Sequence, residues 1–489
     1  MMFAIELMLL VPAATALLSL FHSKRNIVAY ISVIGSCLGL IVSAMICMPT
    51  FLDGRVYDYS LWYVDSLSAL FLLIISFIAL MVSMYSKGYL DVERREGSLT
   101  AKYEHYYYFL LNLFIAVMLS ACVVNSMGLL WIIIEGTTLV SAFLVGFYNN
   151  EHSTEAAWKY LIICSVGITL ALVGISLVYA SSIGVITETS SALDWSVLFA
   201  AASQLDPTLM RAAMVLIIVG FGTKVGFAPM HTWLPDAHSQ APTPVSALLS
   251  AVLLNCAFYS ILRFYLISEI TIPGFSRVLL LLFGFVSLVV AASFILLSKD
   301  IKRMLAYSSI EHMGIIAIGF GIGTPFAIFA ALFHMMAHSM TKPIMFFTAG
   351  NVIQGYGTRD MESIRGLKEN MPYTGFMLIA GTLAIVGAPP FAIFVGEYLT
   401  ISSIIDAGYW WMAVLMLALI LIIFAGFTMH IFPMLGGSTE KEVHEYKSIV
   451  RAVPLTILFC TTLFFGLFMP DQVYDCFETI VEKVFGGAL

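Results

Sequence analysis

Apolar runs long enough to cross a lipid bilayer recur along this sequence, and they constrain its fold more than any other feature. A helix needs about 20 apolar residues to cross roughly 30 Å of hydrocarbon. Only 11% of the 489 residues are charged, against about a quarter in a soluble globular protein. Fourteen candidate spans begin near residues 3, 27, 61, 106, 127, 158, 208, 244, 274, 303, 325, 373, 409 and 450. We therefore predict an all-α, polytopic membrane protein.

The composition also excludes several kinds of function. The net charge is −7 and no basic stripe is present, which argues against nucleic-acid binding. The seven cysteines stand singly, without the spacing of an iron–sulfur, zinc or disulfide framework. No phosphate-binding glycine motif follows a strand-like run. We expect no catalytic residue, cofactor or metal in this chain, so any redox centres belong to partner subunits.

Lysine and arginine accumulate on the inner side of membrane proteins, and their distribution here predicts an orientation. With the N-terminus outside, sixteen basic residues fall on the inner side and five on the outer side. The inner residues are Lys24, Arg25, Lys87, Arg94, Arg95, Lys102, Lys159, Lys299, Lys302, Arg303, Arg359, Arg365, Lys368, Lys441, Lys447 and Arg451. The outer residues are Arg55, Arg211, Arg263, Arg277 and Lys483. An even number of spans then places both termini outside.

Ionisable residues within the apolar runs are the strongest functional signal. A charge at mid-bilayer costs at least about 2.5–3.5 kcal/mol, and such residues usually mark ion pathways. The spans contain Glu135, Lys224, Glu311, His312, His334, His338, Lys342, Glu397 and His430, and a polar break after the seventh span contains His231, Asp236 and His238. We predict an ion path built from these groups, with His430 as a structural residue.

Glu135 and Lys224 are the predicted pair in the first half of the chain. Neither has an ionisable partner nearby in its own span. Burial disfavours the charged form of each, and an opposite charge favours it. A pair that separates and rejoins would act as a proton switch, whereas a pair that stays together would be a static ion pair. The sequence leaves both interpretations open.

Two spans carry helix-breaking residues. Glycines at 220, 222 and 226 precede Pro229 in the seventh span, and Gly387 precedes two prolines and Glu397 in the twelfth. Broken helices at mid-membrane expose backbone groups to ions or water. We predict that spans four to eight (106–270) and nine to thirteen (271–435) are inverted repeats, flanked by helices one to three (1–105) and a last helix with an amphipathic tail (436–489). Two unrelated proline kinks remain the alternative.

His334, His338 and Lys342 recur every four residues in the eleventh span. They therefore share one helix face and extend over roughly 12 Å. Histidine exchanges protons near neutral pH, so this row predicts a proton wire. His312, next to Glu311, is placed to link the two repeats.

Longer motifs resemble a known family. The runs FGTKVGFAPMHTWLPDAH (221–238) and APTPVSALL (241–249) are similar to the signature of the proton-antiporter family. That family includes antiporter-like subunits of respiratory complex I, Mrp-type cation/H⁺ antiporters and energy-converting group 4 hydrogenases. The runs AYSSIEHMG (306–314) and LLNCA (253–257) most resemble the hydrogenase-4 component F branch.

The resemblance implies fourteen helices with the seventh and twelfth broken. It implies that Glu135 is the conducting glutamate, Lys224 its lysine partner and Glu397 the terminal residue. His334, His338 and Lys342 would form the connecting axis.

Asn255 departs from the pattern, because many complex I relatives have a lysine there and an asparagine carries no proton. His312, a water or another residue would then have to serve.

The resemblance further implies a subunit that moves H⁺ or Na⁺ across the plasma membrane of a prokaryote. Its partners would be other membrane subunits and a peripheral hydrogenase or dehydrogenase arm, which would hold the NiFe and iron–sulfur centres. A membrane-bound hydrogenase or formate hydrogenlyase is preferred to a complex I-type assembly. The alternatives are a gradient-driven Mrp-type antiporter, an inorganic-carbon uptake pump and a structural anchor.

Overall fold

The computed structural model describes residues 1–21, 25–97, 101–439 and 443–486, and most of them are helical. The first ten helices are α1 (Met2–Phe21), α2 (Arg25–Leu52), α3 (Ser66–Arg95), α4 (Ala101–Ala121), α5 (Met127–Val145), α6 (Glu151–Ser182), α7 (Trp195–Ala200), α8 (Pro207–Val225), α9 (Trp233–Gln240) and α10 (Thr243–Leu248). The others are α11 (Leu254–Thr271), α12 (Phe275–Leu297), α13 (Ile301–Ile322), α14 (Pro325–Tyr356), α15 (Leu367–Asn370), α16 (Pro372–Ile385), α17 (Ala392–Asp406), α18 (Trp410–Leu435), α19 (Ile449–Leu467) and α20 (Asp471–Ile480).

The fourteen predicted spans each correspond to one helix or to a run of consecutive helices. In the described part of the chain, eleven segments are long and apolar enough to cross a membrane. The three other predicted spans are α4, the polar helix α14 and the interrupted pair α16–α17. The polytopic all-α fold is therefore confirmed. Among the basic residues that set the orientation, Lys24 and Lys441 lie outside the described residues.

The third span begins later than predicted. A short antiparallel hairpin of β1 (Tyr57–Tyr59) and β2 (Trp62–Val64) occupies the predicted start, because its aromatic residues favour extended backbone. Helix α3 then begins at Ser66, with the Asp65 side chain accepting a hydrogen bond from the backbone N–H of Ser68 at 2.9 Å. Asp65 also forms a buried two-bond ion pair with Arg263 of α11, at 2.7 and 2.8 Å.

Both predicted helix breaks are present. Helix α8 ends at Gly226, whose φ of +88° is a conformation that glycine adopts without steric cost. The indole N–H of Trp233 donates to the carbonyl of Thr223 at 2.8 Å and fixes the far side of this break. The second break lies between α16 and α17, where Gly387 has a φ of +67°.

Half of the predicted path residues and candidates lie on α11, α13 and α14, which are among the most buried helices. The apolar window of α10–α11 is completely buried, and that of α13 is 94% buried. Helix α14 packs against both of these segments and also against α3, α16, α17 and α19. The predicted division into repeats at residues 105, 270 and 435, like the orientation of the termini, stays a prediction.

Candidate functional site

Glu135 and Lys224 lie on α5 and α8, and one hydroxyl group connects them. Lys224 is completely buried, and its ammonium group donates to Thr138 Oγ1 at 2.6 Å. The same hydroxyl donates to Glu135 Oε2 at 3.2 Å. The predicted pair is therefore brought together through a threonine of α5.

Two residues of α6 complete this first cluster. Ser165 donates to Glu135 Oε1 at 2.5 Å, and the hydroxyl of Tyr160 accepts from Lys224 at 2.9 Å. Lys224 thus has two neutral oxygens as partners, and Glu135, which is only partly buried, has two hydroxyl donors. Neutral partners let either group change its charge without breaking a direct ion pair.

A second cluster surrounds the break between α16 and α17. Glu311 and His312 of α13 and Glu397 of α17 each offer a ligand atom within 4.8 Å of the others. Their exposed fractions are only 1%, 0% and 5%. The Glu397 carboxylate lies directly over Gly387, because a Cβ added there would be 2.0 Å from Oε2.

The row of groups on α14 reaches this second cluster. Nε2 of His334 lies 3.1 Å from Nδ1 of His312, and the ring centroids of His338 and His312 are 5.2 Å apart. Lys342 donates to the carbonyl of Leu305 at 3.0 Å and to Ser308 Oγ at 2.9 Å. Three imidazoles, two carboxylates and one amine are therefore gathered in a buried volume near the second break.

Asn255 connects α11 to the row on α14. Its side-chain amide donates to Ser339 Oγ at 2.6 Å and to the carbonyl of Ala251 at 2.9 Å. Ser339 follows His338 in the sequence, and α11 packs against α8, which carries Lys224. Asn255 therefore joins α11, which packs against the helix that carries Lys224, to the helix that carries the row of histidines.

The structure places three of the remaining residues, His231, Asp236 and His430, away from both clusters. Asp236 bridges Lys159 and Arg303 at 3.3 and 2.8 Å in an ion-pair network at the first turn of α9. His231 packs against Phe294 and Tyr307, and His430 lies 3.1 Å from the carbonyl oxygen of Leu296. His238 is completely buried and stacks on Phe346, one helical turn from Lys342 on α14, so it borders the second cluster.

Sequence reasoning missed the hydroxyl groups that contact the ionisable residues. Thr138 and Ser308 lie three residues from Glu135 and Glu311, so helix periodicity alone places them on the same faces. Ser165 and Tyr160 belong to a different helix from the groups they contact, and no local pattern in the sequence indicates them.

Comparison with known proteins gives consistent matches. The family model described as "NADH:quinone oxidoreductase/Mrp antiporter, TM" matches residues 124–425, and "NADH-Ubiquinone oxidoreductase (complex I), chain 5 N-terminus" matches residues 61–98. A "Hydrogenase-4 component F homolog" of Methylacidiphilum infernorum is 37% identical over 86% of this chain and 88% of its own length.

Two solved structures have the same fold. A chain of an archaeal membrane-bound sulfane sulfur reductase superposes with a TM-score of 0.86 at 22% identity, covering 99% of both chains. A chain of the Mrp complex from a Dietzia species superposes with a TM-score of 0.85 at 19% identity, covering 100% of this chain and 98% of that one.

Proposed function

Because this chain belongs to the NADH:quinone oxidoreductase/Mrp antiporter family of membrane proteins, we propose that it moves H⁺ or Na⁺ as an antiporter-like subunit of an energy-converting respiratory complex. It lies in the plasma membrane of a prokaryote, with both termini outside. The observation that carries this proposal is the pair of ionisable clusters beside the two helix breaks. Buried charges of this kind are costly and mark ion pathways.

The proposed ion path uses the polar contacts within each cluster and passes between the clusters where α8 packs against α11. It begins at Glu135 and passes through the Thr138 hydroxyl to Lys224. Asn255 and Ser339 then lead to the imidazoles of α14 and α13, with His312 in contact with both His334 and His338. Glu311, Lys342 and Glu397 end the path at the second break.

Moving an ion against the membrane potential requires a driving reaction. One elementary charge moved against 100 mV costs about 2.3 kcal/mol. We assign the driving reaction to partner subunits, which form a peripheral hydrogenase or dehydrogenase arm and hold the NiFe and iron–sulfur centres. The relative named hydrogenase-4 component F homolog supports a hydrogenase arm in preference to a dehydrogenase arm.

A gradient-driven Mrp-type antiporter is the second candidate, supported by the superposition on a chain of the Mrp complex. An inorganic-carbon uptake pump, which would need a zinc-binding soluble partner, is the third. The three candidates differ in what copurifies with the chain. Nickel, iron and hydrogenase subunits support the first, a set of small cation-antiporter subunits supports the second, and a zinc protein supports the third.

Proteoliposomes containing the purified complex test ion movement itself. We expect the partner's electron-transfer reaction to build a pH or Na⁺ gradient that collapses when a matched ionophore is added. Whether the gradient collapses with a proton ionophore or with a sodium ionophore shows whether the complex moves H⁺ or Na⁺. A complex that transfers electrons at full rate in sealed vesicles without building either gradient would contradict the proposal.

A further inference from the structure

We propose that Glu311, His312 and Glu397 form a binding site for a divalent transition-metal cation, with Zn²⁺ as the best fit. The three ligand atoms lie within 4.8 Å of one another, and all three side chains are buried. The three ligands have no metal-binding spacing in the sequence, because they come from two separate helices, α13 and α17. The site follows from the packing of those two helices.

The ligand atoms are available for a metal. Among the described residues, no group is in full hydrogen-bonding geometry with either carboxylate oxygen of Glu311, with Nε2 of His312 or with Oε1 of Glu397. The nearest polar neighbours are the Ser308 hydroxyl beside Glu311 and the Ile385 carbonyl beside His312. Buried polar atoms are nearly always paired, and each exception calls for an explanation. A shared cation would satisfy groups from all three residues at once.

A neighbouring residue orients the imidazole ligand. Nδ1 of His312 lies 3.1 Å from Nε2 of His334, which leaves Nε2 of His312 for the metal. Metal-binding histidines usually use their second ring nitrogen for such a supporting contact. His334 is therefore a positioning residue of this site.

The charge and chemistry of the ligands select the cation. Two carboxylates outnumber the neighbouring amine, that of Lys342, so the cluster attracts a cation. Two carboxylates with one imidazole are a ligand set that divalent transition metals use. Zn²⁺ accepts three nitrogen and oxygen ligands at about 2.0–2.2 Å and leaves a fourth position for water. An imidazole suits Zn²⁺ or Fe²⁺, whereas Mg²⁺ prefers oxygen ligands only. Because tetrahedral ligand atoms lie about 3.4 Å apart, small side-chain rotations would close the site.

Occupancy would affect ion movement. A bound dication holds both carboxylates and one imidazole of the second cluster, so none of them can carry an ion at that moment. We expect Zn²⁺ to block movement through the second half of the path. This consequence rests on the proposed function, whereas the metal site itself rests only on the geometry.

The test uses the full chain in lipid nanodiscs, without partner subunits that carry metals of their own. We expect the wild type to bind one Zn²⁺ per chain, and Co²⁺ in the same site to give the absorption of tetrahedral nitrogen and oxygen coordination. Glu311→Gln, His312→Gln and Glu397→Gln keep the side-chain size and should each weaken Zn²⁺ binding by at least about 100-fold. His334→Gln should weaken it by about tenfold, as loss of a supporting contact does.

Two controls keep the test specific. His430→Gln removes a histidine outside the cluster and should leave Zn²⁺ affinity unchanged. Lys224→Ala, which interrupts the ion path, should also bind Zn²⁺ as the wild type does, so the two proposals fail separately. The metal site is refuted if the wild type binds neither metal, if the three glutamine variants bind like the wild type, or if Mg²⁺ or Na⁺ displaces Co²⁺ as readily as Zn²⁺ does.

Discussion

Glu135 and Lys224 interact through the hydroxyl of Thr138, which donates to the carboxylate at 3.2 Å and accepts from the amine at 2.6 Å. A rigid ion pair would hold both charges in place. A shared hydroxyl lets the lysine move toward the carboxylate or away from it with little rearrangement. This geometry favours the switching interpretation of the pair over the static one.

Thr138→Val tests this connection. Valine keeps the shape of the side chain but removes the hydroxyl that both partners use. A hydrogen bond to a charged group contributes about 1.5–3 kcal/mol, so we expect gradient formation in proteoliposomes to fall by at least about tenfold. Thr169→Val is the matched control, because Thr169 is an exposed threonine of α6 that bonds only the carbonyl of Ser165. Equal rates in the two variants would remove Thr138 from the path.

Gly387→Ala tests the position of Glu397. The added methyl group would lie 2.0 Å from Oε2 of Glu397 and push the carboxylate away from the cluster. The φ of +67° adds strain of roughly 1–2 kcal/mol. We expect gradient formation to be lost and the thermal unfolding temperature to fall slightly.

Gly408→Ala is the control that shows the effect of backbone strain alone, without a clash with a carboxylate. Gly408 has a φ of +85°, and an added Cβ there would meet no atom within 4 Å. This variant should lose similar stability but keep its ion movement. If both variants move ions at the wild-type rate, the location of Glu397 over Gly387 has no functional role.

Asn255→Leu tests the connection between the clusters. Leucine fills a similar volume but cannot donate to Ser339, so we expect gradient formation to fall strongly while the complex still assembles. Asn112→Leu is the control, because Asn112 is equally buried and bonds Ser32 and the carbonyl of Tyr108 in the N-terminal helices. Ion movement is compared between the two variants after normalisation to the amount of folded protein. A loss in Asn255→Leu alone supports a connecting role for Asn255, whereas an equal loss in both variants indicates a packing role.

The ion pair of Asp65 with Arg263 predicts a pH-dependent stability. Burial raises the pKa of Asp65, but the guanidinium group lowers it by more, so the pKa lies below the usual value of an aspartate. A lowered carboxyl pKa stabilises the fold at neutral pH, and this contribution is lost as the pH falls through the folded-state pKa. We expect the thermal unfolding temperature of the wild type to fall as the pH is lowered below the usual pKa of an aspartate. Asp65→Asn has no carboxylate at this position, so its unfolding temperature should fall less over the same pH range.

At neutral pH, Asp65→Asn leaves a buried guanidinium without its counter-charge. Such a loss costs about 3–5 kcal/mol. Asp53→Asn is the control, because the pair of Asp53 with Arg55 is exposed and should contribute less than about 1 kcal/mol. Similar unfolding temperatures for the two variants would mean that the buried pair is not a stabilising contact.

The sequence predicted the helices well because a bilayer imposes one length and one composition on every span. The polar helix α14 was found as a span despite Lys342 and its two histidines, since apolar residues fill the rest of it. The start of α3 was placed too early, because aromatic residues before Asp65 suit a membrane interface and a short hairpin equally well. Hydrophobicity alone does not distinguish these two environments.

The candidate site was only partly predictable. Spacing along one helix showed that His334, His338 and Lys342 share a face. The contact of His312 with that row and the approach of Glu397 to Glu311 depend on how α13, α14 and α17 pack. Long-range contacts of this kind leave no periodic pattern in a single sequence.

Lys224→Ala gives the most direct test of the central claim that buried ionisable groups carry the ion. The complex is purified with this variant, reconstituted into sealed vesicles and compared with Lys299→Ala, which removes an exposed lysine. We expect Lys224→Ala to assemble and to keep the partner's electron transfer but to build no ion gradient, while Lys299→Ala behaves like the wild type. A wild-type gradient in the Lys224→Ala complex would contradict the account.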